Sequence, residues 1–279
     1  MTRALASAVL ALIVTGTGAM HPAAADPVTG EWSIHAAASA PDRITFETDA
    51  SPGDRMSTTN LTVPPAELAG AGHHVTFTIV RDAGRFVCEG WGENGRGAGT
   101  FTFASNPSYV DELRRRGLTF PSDQKLLDAA MLDLSLAYVD AMHATYPQAD
   151  VKKLIEMRAV GVDPAFVRTM TSRLGGPIDL QTMVSLRAVG VTPEYLDELT
   201  RMGFHVTRAE QAVSLRAVGV DAAYVKELAS LGYTNIAPDD LQQMRAVGVD
   251  ADFIRKMEAH GFHNLSVQRL IQARAVGVF

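Results

Sequence analysis

The pentapeptide Arg-Ala-Val-Gly-Val occurs five times, starting at Arg158, Arg187, Arg216, Arg245 and Arg274, and each start lies 29 residues after the last. Spacing this regular is the mark of stacked structural units, each too small to bury its own apolar face. It restricts the second half of the chain to a repeat array before any other feature is read.

The units begin earlier than the pentapeptide suggests. Asp163-Pro164-Ala165-Phe166-Val167, Thr192-Pro193-Glu194-Tyr195-Leu196, Asp221-Ala222-Ala223-Tyr224-Val225 and Asp250-Ala251-Asp252-Phe253-Ile254 share one form, and Asn106-Pro107-Ser108-Tyr109-Val110 has it too. Each is a helix start: Asn, Asp or Thr caps, Pro or Ala takes the first turn, and the aromatic opens the buried face. Ser135-Leu136-Ala137-Tyr138-Val139 is a degenerate copy, so six units start at 106, 135, 163, 192, 221 and 250. The first helix of a unit carries apolar residues at i, i+1 and i+4, as in Tyr195, Leu196 and Leu199, and closes on glycine followed by an aromatic, as in Gly203-Phe204 or Gly232-Tyr233. The second helix ends in the pentapeptide. Its stripe is Met183, Leu186 and Val189 in one unit and Leu241, Met244 and Val247 in another; Gly190 or Gly248 then takes the left-handed position, and Val191 or Val249 folds back.

The segment 26–105 reads differently. Trp32 and Ile34, Ile44 and Phe46, and Leu61 and Val63 alternate with polar residues, and Val75 to Phe103 forms a clearer meander with turns at Asp82-Ala83-Gly84 and Glu93-Asn94-Gly95. Phe77, Ile79, Phe86, Phe101 and Phe103 are expected on one apolar face, and Cys88 shares the face of Phe86 as a buried thiol. Pro64-Pro65 breaks the middle of the segment. The expected fold class is therefore α+β: a small antiparallel β domain over 26–105, then an α-solenoid of six two-helix units with a 29-residue period over 106–279.

Residues 1–25 have the form of a secretory signal peptide: Arg3, an apolar run from Ala4 to Val14, and the small-residue site Ala23-Ala24-Ala25 before Asp26. A periplasmic or secreted location is expected, with a mature chain starting at Asp26. No later stretch approaches the roughly 20 apolar residues of a transmembrane helix. Cys88 is the sole cysteine, which excludes an internal disulfide, and its distance from the cleavage site excludes lipoprotein attachment. A net charge of -6 argues against a nucleic-acid binder, which would need a basic stripe. The one basic run, Arg114 to Arg116, reads as a solvated helix end before Gly117.

Several motifs tempt a chemical reading and fail on context. Gly92 to Gly99 lies between two strands rather than between a strand and a helix, so it reads as a hairpin and not a phosphate loop. Ser122-Asp123-Gln124-Lys125 matches SxxK, but no Lys-Thr-Gly triplet completes a serine acyl-enzyme site, and Ser122 sits where a helix cap belongs. His73-His74 is an adjacent pair in a strand and His260 and His263 straddle Gly261; neither has the spacing of a metal site, and no metal or cofactor is expected.

The alternation of Asp/Thr-Pro-x-Tyr/Phe-Val-x-x-Leu-x-x-x-Gly-Tyr/Phe with Leu-Arg-Ala-x-Gly-Val over Asn106 to Phe279 resembles repeats in the extracytoplasmic regions of bacterial BlaR-type sensor metallopeptidases and related small exported proteins. The meander before Asn106 resembles the segment preceding such repeats. The resemblance implies a binding or sensing module of a bacterial envelope. The chain has no HExxH helix and no membrane span, so the peptidase activity of those sensors does not carry over.

Two surfaces emerge as candidates for binding. The recurrent arginines Arg158, Arg187, Arg216, Arg245 and Arg274 stand near helix C-termini, five residues before the next cap, and read either as a structural ladder within reach of Asp163, Asp221 or Asp250 or as a ligand-lining row. At the C-terminal unit the stripe Leu270, Ala273 and Val276 is expected to leave an apolar patch, with Val276 and Phe279 docking a partner or a second copy; the alternative is closure of that unit on itself through Val278 and Phe279. The expected function is protein or peptide binding by an exported, non-enzymatic scaffold or sensing module, against an envelope hydrolase or a self-assembling structural element.

Overall fold

The structure is a computed structural model that describes residues 28–37, 40–49, 55–58, 74–93, 96–120 and 123–278. Strands β1 (Val28–Ala37), β2 (Ala40–Asp49), β3 (Arg55–Thr58), β4 (Val75–Arg81), β5 (Gly84–Glu93) and β6 (Arg96–Ser105) form one antiparallel sheet in the order β3-β2-β1-β6-β5-β4. The expected meander is the β4-β5-β6 half, with Phe77 opposite Cys88 and Phe86 opposite Phe103. Phe77, Ile79, Phe86, Cys88, Phe101 and Phe103 are all buried, and Phe86 packs edge-on to Phe101 with ring centroids 5.7 Å apart. Strand alternation produces this: one residue in two faces the core, and the intervening Thr76, Thr78 and Thr102 face outward. Leu61, Val63 and Pro64-Pro65 lie outside the described residues. His74 is exposed and precedes β4 instead of lying in it, because pairing to β5 begins at Val75; His73 is outside the described residues.

The glycine-rich stretch is the β5–β6 hairpin, and its composition has a packing cause. Gly90 faces Gly99 and Gly92 faces Gly97 across the ladder, and Trp32, on the neighbouring strand, lies against Gly90 and Gly97. A Cβ on Gly90 would stand 2.8 Å from the indole, and one on Gly99 would collide with the Glu89 carbonyl. The bare backbone leaves room for the ring, whose Nε1–H donates to the carbonyls of Thr100 (3.0 Å) and Glu89 (3.3 Å).

Twelve helices follow among the described residues: α1 (Pro107–Arg115), α2 (Asp123–Met131), α3 (Leu136–Thr145), α4 (Val151–Ala159), α5 (Pro164–Arg173), α6 (Leu180–Ala188), α7 (Pro193–Arg201), α8 (Ala209–Ala217), α9 (Ala222–Ser230), α10 (Pro238–Val247), α11 (Ala251–Ala259) and α12 (Val267–Ala275). They pair into the six expected units and stack in two layers. First helices pack on one another from α1 to α9, and second helices from α6 to α12. The expected caps form: Asn106, Ser135, Asp163, Thr192, Asp221 and Asp250 each accept a backbone N–H of the first turn.

The second helices end in Schellman turns. In α6 the N–H of Val191 donates to Leu186 O (2.8 Å) and that of Gly190 to Arg187 O (3.1 Å), with Gly190 at φ 78°. The first unit departs from this pattern. Asp133, at φ 52°, holds the position that glycine takes elsewhere, and Leu134 donates to Ala129 O as the valines do. Aspartate tolerates the left-handed region better than most side chains, so the turn survives without glycine.

The sheet covers the first unit. Helix α2 packs against β5 and β6, and the apolar faces of sheet and helices make one continuous core. The β4–β5 turn then reaches the helix starts. The Asp82 carboxylate accepts the N–H of Leu136 (2.8 Å), its carbonyl accepts the Asn106 side-chain amide (2.9 Å), and Ala83 O accepts the Asn106 N–H (3.0 Å). Arg81 adds an ion pair from Nε to Asp133 at 3.4 Å, without a hydrogen bond from its buried Nε–H.

Candidate functional site

The five recurrent arginines occupy equivalent positions, each on the aromatic ring that opens the first helix of its own unit. Arg158 lies over Tyr138 (5.1 Å to the ring centroid), Arg187 over Phe166 (5.1 Å), Arg216 over Tyr195 (4.8 Å), Arg245 over Tyr224 (4.7 Å) and Arg274 over Phe253 (5.0 Å). At this distance the guanidinium is attracted by the negative face of the ring. The other side of each arginine meets the preceding unit. Arg158 Nε–H donates to Leu132 O (2.9 Å) and Arg245 Nε–H to Gly219 O (3.1 Å), so a cation complements the carbonyl end of the previous second helix. A Cβ on Gly161 would come within 3.3 Å of Arg187 Nε, and one on Gly248 within 3.6 Å of Arg274 Nε. Each arginine thus ties its own two helices together and leans on the turn of the unit before.

The rings are fixed from their far edges. The hydroxyls of Tyr138, Tyr195 and Tyr224 donate to the carbonyls of Val162, Val220 and Val249 at 2.9, 2.9 and 2.7 Å. Those valines end the pentapeptides of the same units, so the hydroxyl closes a loop from the first helix onto the Schellman turn of the second. Tyr109 makes the equivalent bond to Leu134 O at 2.6 Å, although the first unit has Ala130 in place of the arginine. Burial pushes the Tyr195 hydroxyl up to about 12, with Arg216 opposing the shift, and raises Tyr109, Tyr138 and Tyr224 as well.

The expected reach of the arginines to Asp163, Asp221 and Asp250 is corrected. Those carboxylates accept the N–H groups of Phe166 (2.7 Å), Tyr224 (2.8 Å) and Phe253 (2.8 Å) as caps, and the ion pair that Arg158 makes runs to Asp133 at 3.6 Å. Each cap oxygen is committed to its own helix, and the preceding arginine, Arg158, Arg216 or Arg245, stacks on an aromatic ring instead.

No family model, curated protein or solved structure matches the chain. The remaining candidate residues are placed by geometry. Of the expected C-terminal stripe, Leu270 is buried, Ala273 is half-buried against the core and Val276 is 78% exposed; Phe262 after α11 is 51% exposed, Val278 is half-buried against the core, and Phe279 lies outside the described residues. Cys88 is fully buried, and burial pushes its thiol up to about 12, which suits an unreactive core position. Ser122 lies outside the described residues, and Lys125 pairs with Asp128 at 2.6 Å. Arg114 pairs with Asp111, Arg115 with Glu112, and Arg116 with Glu112 and Asp140, which accounts for the basic run as a paired helix end. Among the described residues no group of His, Cys, Asp and Glu gathers as a metal site, and no helix is long and apolar enough to cross a membrane.

Proposed function

We propose that the chain is an exported bacterial repeat protein that works as a protein- or peptide-binding module, in scaffolding or sensing. What supports this most is the division of labour within the units. At one equivalent position of the second helices stand Leu154, Met183, Ala212, Leu241 and Leu270, all buried and all apolar; two residues earlier stand Lys152, Gln181, Glu210, Asp239 and Gln268, all exposed and chemically varied. Recurring residues fill the stack, while the outward positions differ from unit to unit even where they bond a neighbour, as Gln181 does with Lys153, Asp239 with Gln211 and Gln268 with Asp240, and a varied outer face of this kind is what solenoids present for binding. The signal-like segment 1–25 and the resemblance of the repeats to BlaR-type extracytoplasmic regions favour an envelope setting.

The test is capture from an envelope extract of the source cells by immobilised full-length protein, compared with a variant carrying Lys152→Glu, Gln181→Glu and Asp239→Lys. A partner retained by the wild type and lost by the variant, at unchanged circular dichroism, is the expected result. Failure of the wild type to retain any protein above a blank matrix sinks the reading.

A further inference from the structure

We propose that Arg187, Arg216 and Arg245 form a strip that binds an extended acidic peptide in polyproline II conformation, with a carboxylate at every third residue. The proposal rests on the binding reading above and names its ligand class.

Two observations and the distance expected between packed helices carry it. First, the guanidinium groups are held in place before any ligand arrives: each is stacked on Phe166, Tyr195 or Tyr224 and set against the turn of the preceding unit, where Cβ atoms on Gly161, Gly190 and Gly219 would lie 3.3, 3.9 and 3.6 Å from the three Nε atoms. Preorganised cations lose little side-chain entropy on binding. Second, among the described residues none of the three makes an ion pair, whereas Arg116, Arg158 and Arg173 are paired to Asp140, Asp133 and Asp197. The cap residues of these units, Asp163, Asp221 and Asp250, are engaged with backbone N–H groups, and position 192 carries threonine. Stacking uses the face of each guanidinium, and in Arg245 the Nε–H goes to Gly219 O, so the terminal N–H groups remain for a carboxylate, the acceptor whose geometry matches this donor. A row of unpaired cations on a chain of net charge -6 is a local reversal of sign.

Third, the spacing selects the ligand. Packed helices lie roughly 8–10 Å apart, so consecutive arginines stand about one helix spacing apart along the array. A peptide advancing about 3.1–3.3 Å per residue covers that distance in three residues. A β-strand would turn residues i and i+3 to opposite faces, whereas polyproline II, with three residues per turn, puts i, i+3 and i+6 on one face.

The experiment is fluorescence anisotropy with the full chain and a labelled peptide of repeated Glu-Pro-Pro long enough to span the three arginines. Its controls are a Lys-Pro-Pro peptide, a peptide of the same composition with the glutamates adjacent, and inorganic polyphosphate. The expected result is binding of Glu-Pro-Pro that weakens with added salt, exceeds every control, and falls at least about tenfold in Arg187→Gln/Arg216→Gln/Arg245→Gln. Should circular dichroism show that variant unfolded, Arg187→Gln alone decides, with a loss of about threefold expected at the most exposed of the three positions. No binding of Glu-Pro-Pro, equal binding by the variant, or equally tight polyphosphate overturns the proposal. If an envelope partner is still captured in that case, only the acidic-peptide assignment falls; if capture also fails, the binding reading falls with it.

Discussion

The guanidinium of Arg245 stands 4.7 Å from the centroid of the Tyr224 ring, and the hydroxyl of that ring bonds to the carbonyl of Val249, four residues past the arginine. One aromatic side chain therefore holds both the charged group near the end of its partner helix and the turn that terminates it. Replacing Arg245 by Ala removes the ring contact and the bond to Gly219 O together and is expected to lower stability by about 1–2 kcal/mol. Arg245→Lys keeps the charge and loses the planar stack, so it should recover less than half of that. Urea denaturation followed by circular dichroism measures both; equal stability of the alanine variant and the wild type would show that the stack contributes nothing.

The tyrosine hydroxyls give a prediction in two directions. Tyr195→Phe leaves the Val220 carbonyl without its 2.9 Å partner and should cost about 0.5–1.5 kcal/mol. Phe166 occupies the same position one unit earlier, where Val191 is the counterpart of Val220, so Phe166→Tyr should stabilise by up to about 1 kcal/mol. Thermal melting of the two variants checks the pair. A stabilising Tyr195→Phe would mean that the hydroxyl is not needed to satisfy the turn.

The left-handed glycines are equivalent in backbone and unequal in surroundings. Gly190→Ala, at φ 78°, brings its Cβ no nearer than 3.9 Å to Arg216 Nε, so it meets mainly conformational strain and should cost about 1 kcal/mol. Gly161→Ala, at φ 83°, meets the same strain and also brings its Cβ to 3.3 Å from Arg187 Nε, so it should cost more and loosen Arg187 from Phe166. The ranking of the two urea midpoints decides the matter: a Gly190 variant as unstable as the Gly161 variant would remove the arginine from the explanation.

Alkaline pH should weaken the fold through groups that burial keeps protonated. Cys88 and Tyr195 are pushed up to about 12, against unfolded values of about 8.5 and 10. Between those limits the unfolded chain releases protons that the folded chain retains, so stability falls as pH rises. Their contribution is complete below about 8.5 and is lost progressively towards 12. Urea midpoints recorded from neutral to alkaline pH should decline over that window, and Tyr195→Phe should flatten part of the decline. A midpoint that rises with pH there contradicts the burial of these groups.

The sequence by itself determined the period, the six helix pairs, the caps and the glycine stops, because every one of these is a local interaction: a cap bonds three residues ahead and a Schellman turn spans five. It also determined the apolar face of β4 to β6, since alternation in a strand has only two outcomes and the aromatics chose one. What lay farther apart in the chain was decided only by the tertiary structure. Arg245 meets a ring 21 residues earlier, at a position fixed by the rotation of α9 against α10, and no spacing rule distinguishes that ring from the Asp250 cap five residues ahead. The glycines at 90 and 97 needed the indole of Trp32, more than fifty residues away, to explain them. Asp133 had to be seen at φ 52° between Arg81 and Arg158 to be understood as the glycine substitute of the first unit. Local hydrogen bonds can be read from neighbours in sequence; the relative placement of helices and strands depends on the packing of whole faces, and it alone decides which distant side chains meet.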